Sequence, residues 1–254
     1  MITKEPKDWQ DLQNKVNLIL NDIGLNSNKE VELETPRGTV EIDVYAIDPK
    51  SIDKIKYIIE CKNWNNKIPQ TVIHSFITIM NETGGNIGYI ISKKGFQKGA
   101  LEYSNSTNIK LFSYIEFQEH YLMLWYEKSF AKSIYEISSD LISYTEPINS
   151  RRFKYQEKLT DNRTEKFNTL LDKYSNFATM LILIGSNSYE KIFSKEKNTF
   201  FSIEKIKVTV FDLLKIKLEA ENFQDLLIEL NVIIEDSISK FNAVFGKNIF
   251  ANEN

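Results

Sequence analysis

The chain has little of what would direct it to a membrane, to an oxidising compartment or to bulk nucleic-acid coating. Its 254 residues contain one cysteine, Cys61, so no internal disulfide can form. No N-terminal apolar run has the length of a signal peptide or of a membrane span. A net charge of -3 excludes coating by bulk charge, since phosphate binding needs concentrated lysine and arginine. We therefore expect a globular, cytoplasmic protein with no membrane partner.

Phosphate-binding glycine motifs and repeats of solenoid period are also absent from the sequence. A local basic patch is present, because residues 50–98 hold an excess of lysine over the acidic Asp53, Glu60 and Glu82. The lysines are Lys50, Lys54, Lys56, Lys62, Lys67, Lys93, Lys94 and Lys98. The patch is either a local nucleic-acid site or a solvated lysine-rich face.

Hydrophobic periodicity predicts an α/β fold for the first half of the chain. Helical spacing over 8–23 is followed by strands at 31–33, 39–47 and 56–62. Pro69 opens a predicted helix that ends at Gly84 and Gly85. A strand at 87–92, a short helix at 96–103 and a strand at 109–112 complete the order. Adjacent early strands pair as antiparallel neighbours and the later ones as parallel, so we expect a mixed sheet flanked by helices.

The second half has long stretches of helical periodicity with few glycines or prolines. Residues 117–142, 153–184 and 223–245 are predicted to be helical. Residues 199–210 fit either a pair of strands or the start of a helix. We divide the chain into residues 1–120 and a mostly α-helical region, 121–254, although no linker in the sequence marks the boundary.

Charged side chains occur on two neighbouring strands of the predicted sheet. Alternation places Val40, Ile42, Val44 and Ala46 on one face of their strand, with Glu41, Asp43 and Tyr45 on the other. In the next strand Glu60 and Lys62 share a face. Burying such charges is costly unless they pair or hold a metal, so Asp43, Glu60 and the carbonyl oxygen of Cys61 are candidate Mg²⁺ ligands. An ordinary ion pair between strands is the structural alternative.

Five runs of sequence resemble the Mrr-type restriction endonuclease family of the PD-(D/E)XK nuclease superfamily. They are VEIDVYA, YIIECKNW, IPQTVIHSF, GGNIGYIISKKGFQKGA and TNIKLFSYIEF, and together they span about residues 8–120. The resemblance implies that Asp43 and Glu60-Cys61-Lys62 form a Mg²⁺-dependent catalytic site for cutting DNA, with Mn²⁺ as a substitute. It also implies that Gln70 lies beside the site and positions either the substrate backbone or Lys62.

One position departs from the family pattern. Gln13 occupies the place on the first helix where relatives often carry a glutamate, and a neutral amide is a poorer metal ligand. A second metal site is therefore in doubt, unless Glu41 or Asp11 substitutes. His74 is more typical of a structural or surface helix residue. Trp64 fits either contact with nucleic acid or cover for the sheet edge.

The sequence thus predicts a restriction-endonuclease-like nuclease core that hydrolyses DNA phosphodiester bonds, with a role in bacterial defence against foreign DNA. Two alternatives stay open: a catalytically silent scaffold or DNA-binding subunit of a defence complex, and a DNA repair or junction nuclease. The helical region would bind DNA, a second copy of the chain or a partner such as an ATPase. A homodimer would explain cutting of both DNA strands.

Overall fold

The computed structural model describes residues 1–186 and 202–251. The chain divides into two compact units, Met1–Lys128 and Ser129–Asn254, whereas the sequence analysis set the boundary at residue 120. Within the described ranges, no helix is long and apolar enough to span a membrane.

The N-terminal unit follows the predicted order of helices and strands. Its elements are α1 (Trp9–Asp22), β1 (Asn26–Thr35), β2 (Gly38–Ile47), β3 (Lys56–Lys62), α2 (Gln70–Thr83), β4 (Ile87–Ser92), α3 (Lys98–Ser104), β5 (Ile109–Phe112) and α4 (Tyr114–Trp125). β1 is much longer than the predicted 31–33. It lies at the edge of the sheet, and most of its residues alternate between half-buried and exposed. Many of its side chains are polar, so most of the strand contains no apolar run from which it could be predicted.

The five strands form one mixed sheet in the order β1-β2-β3-β4-β5. β1, β2 and β3 are antiparallel neighbours, while β3, β4 and β5 run parallel. The predicted mixed sheet is therefore confirmed. Since parallel strands end at the same edge, the loops that follow β3 and β4 meet there; Lys93 N–H donates to the Lys62 carbonyl at 3.1 Å.

Helices cover both faces of this sheet. An apolar cluster lies beneath α2 and includes Ile58 of β3, Phe76 of α2 and Ile90 of β4. On the other face, Tyr89 meets α4, where its hydroxyl lies 2.8 Å from that of Tyr121. Gly84 ends α2 with φ 67°, a left-handed conformation that favours glycine.

The C-terminal unit is helical in its described residues, as predicted. After a π-helical turn at Tyr126–Ala131 come α5 (Lys132–Thr145), α6 (Ser150–Gln156), α7 (Asp161–Gly185), α8 (Ile203–Leu214) and α9 (Phe223–Phe245). The stretch 153–184, predicted to be helical, is divided between two helices, α6 and α7. For 199–210, the helix alternative is correct from Ile203 onward, and residues 199–201 lie outside the described residues.

Candidate active site

Asp43 lies where β2 separates from β3. The antiparallel register between these strands ends with the pair Val44 and Ile59. Beyond that pair, Asp43 Oδ2 accepts a hydrogen bond of 2.7 Å from the backbone N–H of Cys61. A side-chain carboxylate thus takes the donor that continued strand pairing would have used, which holds Asp43 against the backbone of the Glu60-Cys61-Lys62 segment.

The backbone beside Asp43 is irregular. The register of β1 and β2 contains no Glu30–Asp43 pair, and Glu30 has φ 52°. Ile42 and Tyr45 both pack on the apolar cluster beneath α2, although an odd spacing separates them. The strict alternation predicted for β2 is therefore wrong around Asp43, because the irregular pairing re-aims neighbouring side chains.

Glu60 and Lys62 lie together on one face of β3, as their spacing predicted. The Lys62 ammonium contacts Glu60 Oε1 directly. Both side chains are largely buried, with exposed fractions of 18% for Glu60 and 21% for Lys62. The ion pair is thus formed within β3, not between strands as the structural alternative supposed. In that alternative Asp43 would have needed a cation, but it bonds to a backbone N–H instead.

The electrostatics of Glu60 link it to Asp43. Burial raises the pKa of the Glu60 carboxyl, the negative charge of Asp43 raises it further, and Lys62 opposes both effects. Two carboxylates close enough to repel each other are a typical pair of ligands for a hard divalent cation.

Cys61 meets Asp43 through its backbone N–H, while its thiol is buried. Burial raises the pKa of the Cys61 thiol well above its ordinary range, and the charges of Asp43 and Glu60 act in the same direction. The neutral, buried thiol is a poor metal ligand.

A cleft of about 240 Å³ opens beside Glu60 and Lys62. The opposite wall comes from α2, through Thr71, Val72, Ser75, Phe76 and Ile79. Trp64 also lines the cleft; its side chain is 46% exposed, and the Lys62 ammonium lies 5.4 Å from its ring centroid. Sequence reasoning found the apolar stripe of α2 but missed the hydroxyls of Thr71 and Ser75. Thr71 and Ser75 are one helical turn apart and directly precede Val72 and Phe76 of the apolar stripe. That spacing is the sequence signal by which they could have been found.

Gln70 contacts His74 and Gly99. Its amide nitrogen is 3.3 Å from His74 Nε2, and a Cβ added at Gly99 would lie 2.9 Å from its Oε1. Gln70 therefore packs against α3, and in the described residues it makes no hydrogen bond to Lys62. His74 also stacks edge-on against Tyr103 at 4.5 Å, in keeping with the structural role predicted for it.

Gln13 is 4% exposed, and its Oε1 has no hydrogen-bond partner among the described residues. Neither proposed substitute joins the site through a described contact. Asp11 forms an ion pair with Lys15 at 2.8 Å, and Glu41 is an exposed residue of β2 paired in register with Glu32. Across residues 1–186 and 202–251, no three histidine, cysteine, aspartate or glutamate side chains are grouped to hold a metal. Any metal at this site therefore depends on Asp43, Glu60 and backbone or solvent oxygens.

The mixed sheet with helices on both faces, carrying Asp43 beside Glu60-Cys61-Lys62, is of the restriction-endonuclease-like class. A comparison with family models is more specific: residues 6–121 match the Mrr catalytic-domain family, described as restriction endonuclease. This segment, a little under half of the chain, is therefore similar to a restriction endonuclease domain.

Comparison with solved structures finds more distant resemblances. A crystal structure of a protein of unknown function has 16% sequence identity and a TM-score of 0.39, and the match covers 72% of this chain and 100% of that one. A repair endonuclease from Pyrococcus abyssi has 14% identity and a TM-score of 0.30, with coverage of 44% and 48%. No curated protein matches the chain. The family assignment therefore rests on the family model.

Proposed function

We propose that this chain is a divalent-metal-dependent endonuclease that hydrolyses phosphodiester bonds in DNA. The observation that carries the proposal is the placement of Asp43 on the Cys61 N–H, between Glu60 and Lys62 of the same strand, which line a cleft in a segment that matches a restriction endonuclease domain. Asp43, Glu60 and the Cys61 carbonyl oxygen would hold Mg²⁺, with Mn²⁺ as a substitute. Oxygen donors of this kind suit such hard cations.

The bound cation would lower the pKa of the attacking water and offset negative charge at the phosphate. Within the chain, Asp43 is held in place by the Cys61 N–H. Lys62 now neutralises Glu60; when Glu60 serves as a ligand, the ammonium is available to orient water or to offset charge on the phosphate. Trp64 keeps that ammonium at the cleft.

Of the two roles proposed for Gln70, contact with the substrate backbone has the better support. Its side chain packs beside His74 and Gly99, and within the described residues it makes no hydrogen bond to Lys62. Gln70 is also the first residue of α2 and directly precedes Thr71, which lines the cleft. Its amide can donate a hydrogen bond to a phosphate oxygen.

The test is cleavage of plasmid and phage DNA by the purified full chain, with Mg²⁺, with Mn²⁺ and with a chelator. We expect metal-dependent cutting, and a loss of about 100-fold or more in Lys62→Ala and Asp43→Asn. Asp53→Asn, in the exposed loop before β3, is the matched control and should cut like the wild type. Equal cutting by Asp43→Asn and wild type would overturn the proposed site.

A catalytically silent, DNA-binding role is the second candidate. Gln13 and the lack of a third grouped ligand among the described residues favour it. The same assay separates the two: a folded wild type that binds DNA but cuts with neither metal is the result this candidate predicts. Asp43→Asn would then bind DNA as the wild type does.

The resemblance to restriction endonucleases supports a role in defence against foreign DNA, tested by phage plating on cells carrying wild type or Lys62→Ala. Preference for branched over linear DNA would instead favour repair or junction resolution. We propose that the helical region serves a second copy, DNA or a partner such as an ATPase. Light scattering of the purified chain, alone and with DNA, tests the first two options.

A further inference from the structure

A second cleft opens at the same edge of the sheet as the candidate active site. Its volume is about 390 Å³, and none of its lining residues lines the first cleft. Its walls come from the segment before α1, from α1 itself, from the start of α4, and from the loops that follow β3 and β4. Those two loops contribute Asn63, Lys93 and Lys94, and the end of β4 contributes Ser92.

The cleft adjoins the candidate active site through the backbone. Asn63 directly follows Lys62, and Lys62 pairs in register with Ser92 of the neighbouring parallel strand. Lys93 N–H donates to the Lys62 carbonyl at 3.1 Å. A polymer lying over the end of β3 would therefore meet both clefts.

Lys93 and Lys94 give this cleft its positive charge. Both are exposed, and among the described residues neither is within ion-pair distance of a carboxylate. Lys98, a few residues later, does have such a partner, with its ammonium 3.5 Å from Glu102. Glu5 is the acidic residue of the lining. The start of α4 adds little charge, because Ser113 and Glu116 already cap it.

The loop that carries the two lysines is held in a defined shape. Ser92 Oγ donates to the Gly95 carbonyl at 3.1 Å, and Gly95 has φ 74°. Ile68 N–H donates to the same carbonyl at 3.0 Å, which ties this loop to the one after β3. The backbone that carries the two lysines is thus ordered before any ligand binds, and less backbone conformational entropy is lost on binding.

We propose that this second cleft binds the DNA backbone next to the phosphate that is cut, with Lys93 and Lys94 contacting phosphates and Asn63 donating a hydrogen bond. The inference rests on the proposed function. Two unpaired lysines beside Lys62, in a chain with net charge -3, form a local concentration of positive charge of the kind that phosphate recognition requires.

The test measures binding of a labelled DNA duplex to the full chain by fluorescence anisotropy, in chelator, across a range of salt concentrations. The Lys93→Gln, Lys94→Gln double variant removes charge and keeps side-chain length. We expect its affinity near 0.1 M salt to fall about ten-fold or more. The slope of log K against log salt should become less negative by about 1.8, or 0.9 for each lost phosphate contact.

Lys50→Gln with Lys54→Gln is the matched control, since both lysines are exposed and precede β3, at its opposite end. It should bind as the wild type does. Unchanged affinity and salt slope in the Lys93, Lys94 variant, or no binding of DNA by the wild type, would overturn the inference. Normal binding by the wild type and weaker binding by the Lys93, Lys94 variant, without metal-dependent cutting, would overturn the proposed function and leave only the binding of DNA phosphates by this cleft. Thermal melting of each variant confirms that it is folded.

Discussion

At the scale of single residues, Asp43 combines two roles that mutagenesis can separate. Its carboxylate satisfies the Cys61 N–H, and its negative charge raises the pKa of Glu60. The first role needs only an acceptor oxygen. The proposed metal site needs the charge.

We therefore expect Asp43→Asn and Asp43→Ala both to abolish cutting but to differ in stability. The asparagine retains an acceptor for the Cys61 N–H, whereas the alanine leaves it unpaired. Asp43→Ala should lower the free energy of unfolding by about 1–2 kcal/mol more than Asp43→Asn does. Urea denaturation measures this difference, and equal stability of the two variants would contradict the structural role.

Asp22, which is not part of the candidate active site, allows the effect of a partly buried charge on stability to be tested. It ends α1, where the helix dipole disfavours a negative charge, and its Oδ2 accepts a 2.7 Å hydrogen bond from Trp125 Nε1. Burial raises the pKa of its carboxyl, and the bond to Trp125 opposes that shift only in part. Protonation of Asp22 therefore favours the folded state.

The stability that this protonation contributes is fully present below the unfolded pKa, near 3.8, and is lost as the pH rises through the raised folded pKa. Asp22→Asn keeps the acceptor and removes the charge. We expect it to be more stable than the wild type at pH 7 by about 0.3–1 kcal/mol. The difference should shrink towards zero near pH 4. Urea unfolding at both pH values tests this, and a less stable variant at pH 7 would refute it.

At the scale of elements, the contact of α2 with the sheet depends on a missing side chain. A Cβ at Gly88 of β4 would lie 2.7 Å from Phe76 Cε1 and 3.1 Å from Met80 Sδ. Glycine at this position lets α2 approach the strands closely, and α2 forms one wall of the candidate active-site cleft.

Gly88→Ala should consequently destabilise the protein by about 1–3 kcal/mol through overpacking. Phe76→Leu replaces the opposing ring with a smaller side chain, so the double variant should regain part of the lost stability. A double-mutant cycle in urea measures the coupling between the two positions. Simple additivity would show that the close contact does not determine the packing.

At the scale of the whole molecule, each residue proposed for the site lies in the unit Met1–Lys128. We expect a chain that ends at Lys128 to keep metal-dependent cutting, because neither cleft takes a lining residue from the helical unit. Circular dichroism checks that the shortened chain is folded. A folded fragment that binds DNA without cutting it would assign a catalytic contribution to the helical unit.

Hydrophobic periodicity and the positions of glycine and proline predicted the bounds of β3, β4, β5 and α2 to within about one residue. These elements are short apolar runs between polar loops, or a helix between Pro69 and Gly84, and local preference agrees with the final packing. The spacing of Glu60 and Lys62 likewise set their common face. The length of β1 and the break between α6 and α7 escaped prediction, because polar edge strands and short interhelical turns leave no apolar signal.

Only the tertiary structure decided how Asp43 meets the β3 backbone and where Gln70 points. The first depends on the point at which two strands separate, and the second on the packing of α2 against Gly99. The approach of Lys93 to Lys62 was also decided by strand packing. Contacts between residues distant in the chain follow from register and helix placement, which no local window of sequence contains.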